Sequence, residues 1–338
     1  MKPPWEYPFL SDVLLPLSYL YLFALKGRSF LYKLDLLKQK ELPTKVISVG
    51  NLTVGGSGKT PVVMKIAQWL KEKGLKVGIL SRGYKGKMAK RGTIVSEEKN
   101  LLLGPELIGD EPYLLAKSLP QIPQAVGIDR FKLGKLLCEL HGVQAVVLDD
   151  GFQYLKLKKD LEILCIPSDM EITKVRLFPS GPFREGLSSI KRAHLLLLTY
   201  WEGSDRGFKL LERLKAFGKP IFLANPLYEG LLEGKSLISF SQLKGKRLLL
   251  CLGIGNPYRL LKFLETEGLS IYKTLIRQDH HKWSKEEIER ELKGIEAIVT
   301  TEKDFVKFPP LEVPVYRVKL NMEIEEAFWE FLKRTLYG

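Results

Sequence analysis

Cysteine and histidine are both scarce in this chain of 338 residues. The three cysteines, Cys138, Cys165 and Cys251, lie far apart and show neither the close pairing of a zinc site nor the spacing of a disulfide framework. The four histidines include one adjacent pair, His280 and His281, and are too few for a histidine-rich metal cage. We therefore expect a protein of a reducing cytosol.

Acidic residues are in deficit. The chain has 39 Asp and Glu against 53 Lys and Arg, which gives a formal net charge of +14. Such an excess of positive charge attracts phosphate-rich partners, namely nucleotides, nucleic acid or anionic membrane. No RNA-binding or DNA-binding motif accompanies the charge, so we expect no nucleic-acid partner, and no obligate protein partner is evident.

A membrane-spanning apolar run is also missing near the N-terminus. Residues 13–25 are uncharged but are interrupted by Pro16, whereas a helix that crosses a bilayer needs about 20 apolar residues. No small-residue cleavage site follows, so no removable signal peptide is predicted. A basic stretch with interleaved aromatic and leucine residues comes next. We predict that residues 1–40 form an amphipathic helix on a membrane surface, as part of the first lobe; the alternative is an ordinary helix buried against that lobe.

The rest of the chain shows an α/β pattern. Short apolar runs alternate with stretches of helical spacing, as expected for a doubly wound, mostly parallel sheet covered on both faces. The length exceeds what one core usually holds, so we predict two lobes. Gly218 and Pro220 mark the boundary. This divides the chain into a nucleotide-binding domain over residues 41–218 and a smaller C-terminal α/β domain over residues 219–338.

A glycine-rich turn joins the strand VISVG to a helical pattern that ends at Gly74. A strand, such a turn and Gly-Lys-Thr at a helix start form the context in which backbone N–H groups bind phosphate. Lys59 would reach the β- and γ-phosphates, and the Thr60 hydroxyl would bind Mg²⁺. The predicted nucleotide-binding residues are Gly55, Gly56, Ser57, Gly58, Lys59 and Thr60.

The turn departs from the usual pattern at one position. The first glycine of that pattern falls on Thr53, and the pair Gly55 and Gly56 makes a GGxGKT variant similar to that of partition-type ATPases. Those proteins carry a signature lysine where this chain has Val54. The Lys-x-Asp spacing of a guanine-reading loop is also absent from the segment TTEKD, so a preference for GTP is not predicted.

Two adjacent carboxylates, Asp149 and Asp150, end the apolar strand AVVLD. A carboxylate at this end of a strand beside a phosphate-binding turn is placed to hold Mg²⁺ directly or through water. We predict Asp149 as a metal ligand and Asp150 nearby, either next to the substrate or beside the metal ligands, and we count Thr60, Asp149 and Asp150 as the metal-site residues. The alternative is an aspartate pair that merely begins the turn at Gly151.

Four further segments carry candidate side chains. LSRGY, with Arg82 and Tyr84, precedes a basic run that could bind a phosphorylated substrate or be a solvated loop. GDEP places Asp110 at a helix start, where aspartate is also a common N-cap. FPSGPFREG could form a rim or lid. The Asp279-His280-His281 turn could be a surface feature.

Together, GNLTVGGSGKTP, LSRGY, GDEP, DDGFQ, FPSGPFREG, Asp279-His280 and TTEKD resemble, in order and spacing, the tetraacyldisaccharide 4′-kinase family of lipid A biosynthesis. The resemblance extends from Leu14 to Asp304. It implies a two-lobed P-loop kinase, peripheral on the cytoplasmic face of the bacterial inner membrane. The family transfers the γ-phosphate of ATP, with Mg²⁺, to the 4′-hydroxyl of a tetraacylated glucosamine disaccharide 1-phosphate.

The resemblance also implies roles for individual residues. The catalytic set would be Lys59, Asp149, Asp150, Asp110 and His280, with Asp110 as the base that takes the sugar proton and His280 as its support. Because these two lie in different predicted lobes, their pairing would require lobe closure. The resemblance implies substrate or rim contacts at Arg130, Gln153, Arg184 and Glu185. To these we add Arg82, Tyr84 and Glu111 as predicted substrate contacts. The chain departs from the family at Tyr154, where a histidine is usual.

The rival hypothesis is a switch ATPase or GTPase of the partition or metallochaperone type, which acts through a protein partner. Its glycine-rich turn would look similar. The missing lysine at Val54 and the absent guanine-reading loop argue against it.

Overall fold

The computed structural model describes residues 3–97, 100, 101 and 103–337. The chain forms two compact units: the first comprises Met1–Pro226 together with Met322–Gly338, and the second comprises Leu227–Asn321. The second unit differs from the predicted range 219–338, because the last helix of the chain returns to the core of the first unit. Phe328 of that helix is fully buried there.

The first unit is built around a mostly parallel sheet. Its strands are β1 (Lys45–Asn51), β2 (Val77–Ser81), β3 (Thr93–Glu97), β4 (Asn100–Leu101), β5 (Gln124–Val126), β6 (Ala145–Asp149), β7 (Leu161–Pro167), β8 (Leu195–Thr199) and the first part of β9 (Ile221–Glu233). The strand order is β9-β8-β7-β1-β6-β2-β5-β3-β4. Neighbours from β9 to β5 are parallel, and β3 and β4 are antiparallel.

Helices cover both faces of this sheet, as its continuous apolar strands predict. Those on one face include α3 (Lys59–Glu72), α5 (Asp110–Ser118) and α11 (Glu326–Tyr337), and those on the other include α6 (Arg130–His141) and α7 (Asp205–Lys215). The unit also contains α1 (Pro8–Val13), α2 (Leu15–Lys33) and α4 (Pro105–Ile108). Ile47 and Val49 of β1 are buried against α3 and α11, whereas Val46 belongs to the core under α6. The phosphate-binding turn follows this central strand, at the point where the chain order reverses across the sheet.

The second unit is a smaller α/β structure. It contains the end of β9, β10 (Ser236–Ile238), β11 (Leu248–Leu252), α8 (Pro257–Thr266), β12 (Ile271–Ile276), α9 (Lys285–Glu289), β13 (Ala297–Thr301), α10 (Glu302–Phe305) and most of β14 (Val315–Ile324). The strands β12, β11, β13 and β14 pair in parallel in that order. Separate apolar cores lie on the α8 and α9 faces.

The predicted single amphipathic helix over residues 1–40 is wrong. The segment contains a 3₁₀ turn at Pro4–Glu6 and two helices, α1 and α2, of which the second ends at Lys33. Pro16 lies in the first turn of α2, where its missing N–H is tolerated but where it cannot continue a preceding helix. The apolar run that the sequence shows is therefore divided between two helices.

The burial pattern of α1 and α2 is inverted relative to a helix of a globular core. Each of these two fully described helices buries one residue, and in both it is a serine, Ser11 and Ser18. Many of the apolar side chains point to solvent, and among them Phe9 is 78% exposed and Phe23 is 77% exposed. A long exposed apolar face of this kind marks a surface that meets another molecule or a membrane.

Candidate active site

The phosphate-binding turn has the backbone geometry that its glycines predict. Gly55 and Gly58 adopt positive φ angles of 102° and 73°, which a residue with a β-carbon rarely adopts. Gly58 is the N-cap of α3, so Lys59 and Thr60 occupy the first turn of that helix. The Lys59 Nζ donates to the Ser57 hydroxyl at 3.3 Å. The helix N-terminus and the lysine thus converge on the same point.

The turn is also fixed from behind by the end of β8. The Thr199 hydroxyl donates to the Ser57 carbonyl oxygen at 2.9 Å. A β-carbon added at Gly58 would lie 2.8 Å from the Met322 Cε atom and 3.1 Å from the Tyr200 ring. Sequence analysis did not single out these three neighbours. The available signal was the position of Thr199 at the carboxyl end of a buried parallel strand.

Asp149 and Asp150 lie at the carboxyl end of β6, beside the phosphate-binding turn. Asp149 is buried and accepts a hydrogen bond from the Ser81 hydroxyl at 3.4 Å. Asp150 adopts a left-handed conformation with φ 54°. Its Oδ1 atom lies 3.5 Å from the Lys59 Nζ, and its Oδ2 atom accepts from the Arg184 guanidinium at 2.6 Å. The two aspartates therefore differ in exposure and in their partners.

Their surroundings push the two pKa values apart. Burial raises the pKa of Asp149 to about 7, and the charge of Asp150 adds to this effect. Burial also acts against ionisation of Asp150, but Lys59 and Arg184 outweigh it and hold the pKa of Asp150 well below its usual range. Burial thus disfavours the ionised form of Asp149, and a further positive charge nearby would stabilise that form. Asp150, in contrast, is already paired with two cations.

The predicted rim FPSGPFREG forms a loop against the phosphate-binding turn; we name residues 176–185 the rim loop. The Val54 N–H donates to the Pro182 carbonyl at 2.8 Å, and the Arg184 N–H donates to the Leu52 carbonyl at 2.7 Å. An isolated antiparallel β-bridge pairs Thr53 with Phe183, which lies between Pro182 and Arg184. The rim loop therefore fixes the start of the phosphate-binding turn by main-chain contacts.

Arg130 is buried beneath the two aspartates. Its guanidinium donates to the Asp150 carbonyl oxygen at 3.2 Å and lies 3.9 Å from the centroid of the Tyr154 ring. Burial lowers the pKa of Arg130 to about 10. The Tyr154 hydroxyl also donates a hydrogen bond to the Asp129 carboxylate at 3.3 Å. Tyr154 thus packs on a buried arginine.

Asp110 begins α5 and does not cap it. Gly109 occupies the N-cap with φ 95° and Asp110 is the first residue of the helix, so the capping interpretation of Asp110 is wrong. A β-carbon at Gly109 would lie 2.7 Å from the Tyr84 carbonyl oxygen, so the LSRGY and GDEP segments are in close contact. Glu111 is near enough to Asp149 to raise its pKa further, and Arg82 acts electrostatically on Arg130.

Besides Arg130 and Arg184, two more of the expected substrate contacts are engaged within the protein. The Gln153 side-chain amide donates to the Asn51 carbonyl oxygen at 2.9 Å, which ties the DDGFQ turn to β1. Glu185 is buried, and its Oε2 atom accepts from the Arg192 guanidinium at 2.7 Å. Arg82 and Tyr84 have exposed side chains. The structure therefore brings Lys59 together with Asp149 and Asp150. Outside that cluster lie the predicted substrate contacts Arg82, Tyr84, Gln153 and Glu185.

His280 belongs to the second unit, so its pairing with Asp110 stays a prediction. Within that unit, Asp279 accepts from the Lys303 Nζ at 2.7 Å and lies 3.9 Å from the His280 Nε2 atom. Asp304 accepts from the Gly253 N–H at 3.1 Å, and the His280 N–H donates to the Gly253 carbonyl at 3.3 Å. The TTEKD segment thus organises the turn that carries His280.

A buried ion pair that sequence analysis missed lies under the DDGFQ turn. The Lys159 Nζ donates to the Gly151 carbonyl at 2.7 Å and pairs with the Glu162 carboxylate. Both charged side chains are 6% exposed. Nothing in the run KLKKD distinguishes this lysine from its solvated neighbours. Only the sheet, which places β7 beside β1, brings the pair under the turn.

Among residues 3–97, 100, 101 and 103–337, no group of three His, Cys, Asp or Glu side chains is placed to hold a metal ion.

The comparisons with known proteins agree with the geometry. The family model Tetraacyldisaccharide-1-P 4′-kinase matches residues 10–337. The tetraacyldisaccharide 4′-kinase of Aquifex aeolicus is 40% identical over 331 residues, 97% of this chain and 100% of the relative. That of Pelobacter propionicus is 37% identical over 310 residues, 90% of this chain and 84% of the relative. A crystal structure of LpxK from Aquifex aeolicus in complex with ATP superposes with a TM-score of 0.78 at 36% identity, covering 97% of this chain and 100% of that one.

The fold and the site define an enzyme of the P-loop kinase class, with a mostly parallel sheet and a phosphate-binding turn for ATP. More particularly, the chain belongs to the tetraacyldisaccharide-1-P 4′-kinase family. The switch ATPase that the glycine-rich turn left open finds no support in these matches.

Proposed function

We propose that this chain transfers the γ-phosphate of ATP to the 4′-hydroxyl of a tetraacylated glucosamine disaccharide 1-phosphate, a step of lipid A biosynthesis. The observation that carries the proposal is the convergence of Lys59, Asp149 and Asp150 at the phosphate-binding turn, in a chain of this family. Phosphoryl transfer needs mainly positioning and charge neutralisation, and this cluster can supply both.

The phosphates of ATP would lie over the turn from Gly55 to Thr60. The backbone N–H groups of the turn and the N-terminus of α3 favour negative charge. In the described structure Lys59 is held by Ser57 and Asp150, so its ammonium would exchange these contacts for β- and γ-phosphate oxygens. Arg184, which already neutralises Asp150, would leave that aspartate balanced when Lys59 turns to the nucleotide.

The residues also fit a Mg²⁺ ion. Thr60, Asp149 and Asp150 offer the hard oxygen ligands that Mg²⁺ prefers, and the buried Asp149, whose pKa is raised to about 7, would be stabilised in its ionised form by a nearby cation. We assign these three residues to the metal, with Asp149 as the main donor. When bound, Mg²⁺ neutralises charge on the β- and γ-phosphates.

Asp110 is our candidate for the base, with His280 as its support. Its carboxylate would accept the proton of the sugar 4′-hydroxyl while that oxygen bonds to the γ-phosphorus and the bond to the β-phosphate oxygen breaks, releasing ADP. The position of Asp110 at the first residue of α5, beside the LSRGY segment, supports this role. Around it, the residues that we assign to the acceptor are Arg82, Tyr84, Glu111, Arg130, Gln153, Arg184 and Glu185.

The exposed apolar face of α1 and α2 supports a membrane location. Phe9 and Phe23 would enter the headgroup region, while the basic residues that follow them would meet anionic lipid. Within the described part of the chain, no helix is both long and apolar enough to cross a membrane. We therefore propose a peripheral protein on the cytoplasmic face of the bacterial inner membrane, where its acylated acceptor would be found.

Mass spectrometry of the lipid product tests the proposal. Incubation with ATP, Mg²⁺ and a tetraacylated disaccharide 1-phosphate should add the mass of one phosphate, at the 4′ position. Asp110→Asn should abolish most of this gain while ATP binding is retained. Brisk ATP hydrolysis that does not depend on the acceptor, with no phosphorylated lipid, would instead favour the switch ATPase. Near-normal turnover of Asp110→Asn would remove only the assignment of the base.

A further inference from the structure

The rim loop lies between the N-terminal helices and the ATP site, and it is bonded to both. On the helix side, the Ser11 hydroxyl donates to the Ser180 carbonyl at 2.6 Å, and the Ser18 hydroxyl donates to the Leu177 carbonyl at 2.9 Å. The Ser180 N–H in turn donates to the Ser18 oxygen at 3.0 Å. These serines are the residues that α1 and α2 bury, so their burial serves these contacts.

A tyrosine extends the contact towards the catalytic cluster. The Tyr21 hydroxyl donates to the Arg184 carbonyl oxygen at 3.0 Å, and its ring packs edge-on against Phe178 with the centroids 6.1 Å apart. Arg184 is the residue whose N–H binds the phosphate-binding turn and whose guanidinium binds Asp150. The carbonyl that Tyr21 binds therefore belongs to the residue that links the rim loop to the ATP site.

The contacts form a continuous chain from α2 to the ATP lysine. Tyr21 binds the backbone of Arg184, Arg184 pairs with Asp150, and Asp150 pairs with Lys59. If Arg184 moved away, Asp150 would lose one of the two cations that pair with its carboxylate, and its attraction for Lys59, the other one, would make the lysine less available to the phosphates of ATP. The position of the rim loop thus affects whether the Lys59 ammonium stays paired with Asp150 or contacts the phosphates of the nucleotide.

We propose that Tyr21 and Ser18 are positioning residues for the ATP site: their hydroxyl groups hold the rim loop so that Arg184, and not Lys59, neutralises Asp150. The inference rests on the proposed ATP site, but it concerns nucleotide binding alone and does not depend on the identity of the acceptor. It gives the N-terminal helices a task beyond contact with a lipid surface.

Binding of ATP and Mg²⁺ in the absence of acceptor tests this inference, using Tyr21→Phe in the full-length chain. Removal of one hydrogen bond of this kind should weaken ATP binding about tenfold. Tyr32→Phe is the matched control, because it removes the same atom from the same helix outside the contacts with the rim loop. Ser18→Ala should repeat the effect of Tyr21→Phe, and thermal unfolding verifies that each variant is folded.

A double-mutant cycle separates positioning from general loss of structure. In the background of Arg184→Gln, the side chain through which Tyr21 acts is gone, so Tyr21→Phe should change ATP affinity less than twofold. Equal losses in both backgrounds, or a Tyr21→Phe variant that binds ATP as tightly as Tyr32→Phe, would overturn the inference. If instead the wild type binds ATP but phosphorylates no lipid, the proposed acceptor fails while this cycle still gives its answer.

Discussion

Lys59 connects the two halves of the proposed site, because it contacts the phosphate-binding turn through Ser57 and the aspartate pair at the end of β6 through Asp150. The sequence predicts its role from the turn and the helix that follows. The second cation of Asp150, Arg184, could not be predicted as such, since the contact between Arg184 and Asp150 joins positions 34 residues apart and depends on the path of the rim loop.

Lys59→Ala should lower the rate of phosphoryl transfer at least about 100-fold, because a preorganised cation that faces developing phosphate charge is lost. The measurement is the initial rate of lipid phosphorylation at saturating ATP. Lys71→Ala, an exposed position on the same helix, should retain the wild-type rate. A Lys59→Ala enzyme within tenfold of wild type would show that the lysine does not contact the transferred group.

The ion pair between Lys159 and Glu162 yields a stability prediction at the same scale. Both side chains are 6% exposed, and burial lowers the pKa of Lys159 and raises that of Glu162. Lys159→Met leaves the buried Glu162 carboxylate and the carbonyl oxygens of Gly151 and Phe152 without their cation. It should therefore cost about 3 kcal/mol in the free energy of unfolding.

Urea unfolding of Lys159→Met, Glu162→Gln and the double variant measures this coupling. Each single variant leaves one buried charge without its partner, whereas the double variant leaves none. The double variant should therefore lose less free energy of unfolding than the sum of the two single losses. Additive losses would show that each side chain acts alone.

At the scale of the elements, the strands that carry the site are those that the sequence predicts best. The apolar runs behind β1, β2, β6 and β8 are short and continuous, and the structure contains each as a strand. The short strands β3, β4, β5 and β10 were not predicted, because their pairing is set by neighbouring strands and not by an apolar run of their own. The neighbour of Gly50 in β1 could not be predicted either, because Phe152, which lies against it, is far away in the sequence.

Gly50→Ala should disrupt the approach of β1 to the DDGFQ turn. An added β-carbon would lie 2.5 Å from the Phe152 Cβ atom and 2.7 Å from its backbone nitrogen, and backbone cannot move aside cheaply. We expect a loss of about 2 kcal/mol in the free energy of unfolding, together with weaker ATP binding, as the turn that carries Asp150 shifts. Gly104→Ala, with no heavy atom within 4 Å of the new β-carbon, is the control and should leave both quantities unchanged.

At the scale of the whole molecule, two features lay beyond sequence reasoning. The return of α11 to the first unit depends on side chains such as Trp329, whose ring stacks on Trp69 of α3 with the centroids 5.5 Å apart. The inverted burial of α1 and α2 has the same kind of cause, because the hydrogen bonds from the serines to the rim loop form only once that loop is folded. Composition predicts that these helices meet a surface, but it does not say which of their faces binds the protein.

The two faces of α2 should be separable by experiment. Phe23→Ser removes an apolar side chain from the exposed face, so binding to vesicles that contain anionic lipid should weaken several-fold, measured by cosedimentation. ATP affinity should stay as in the wild type, because Phe23 is 77% exposed and lies away from the rim-loop side of the helix. Tyr21→Phe should show the opposite pattern, with weaker ATP binding and unchanged vesicle binding. A Phe23→Ser protein that binds vesicles normally would mean that this face does not meet lipid, whereas loss of both activities in either variant would mean that the helix acts as one unit.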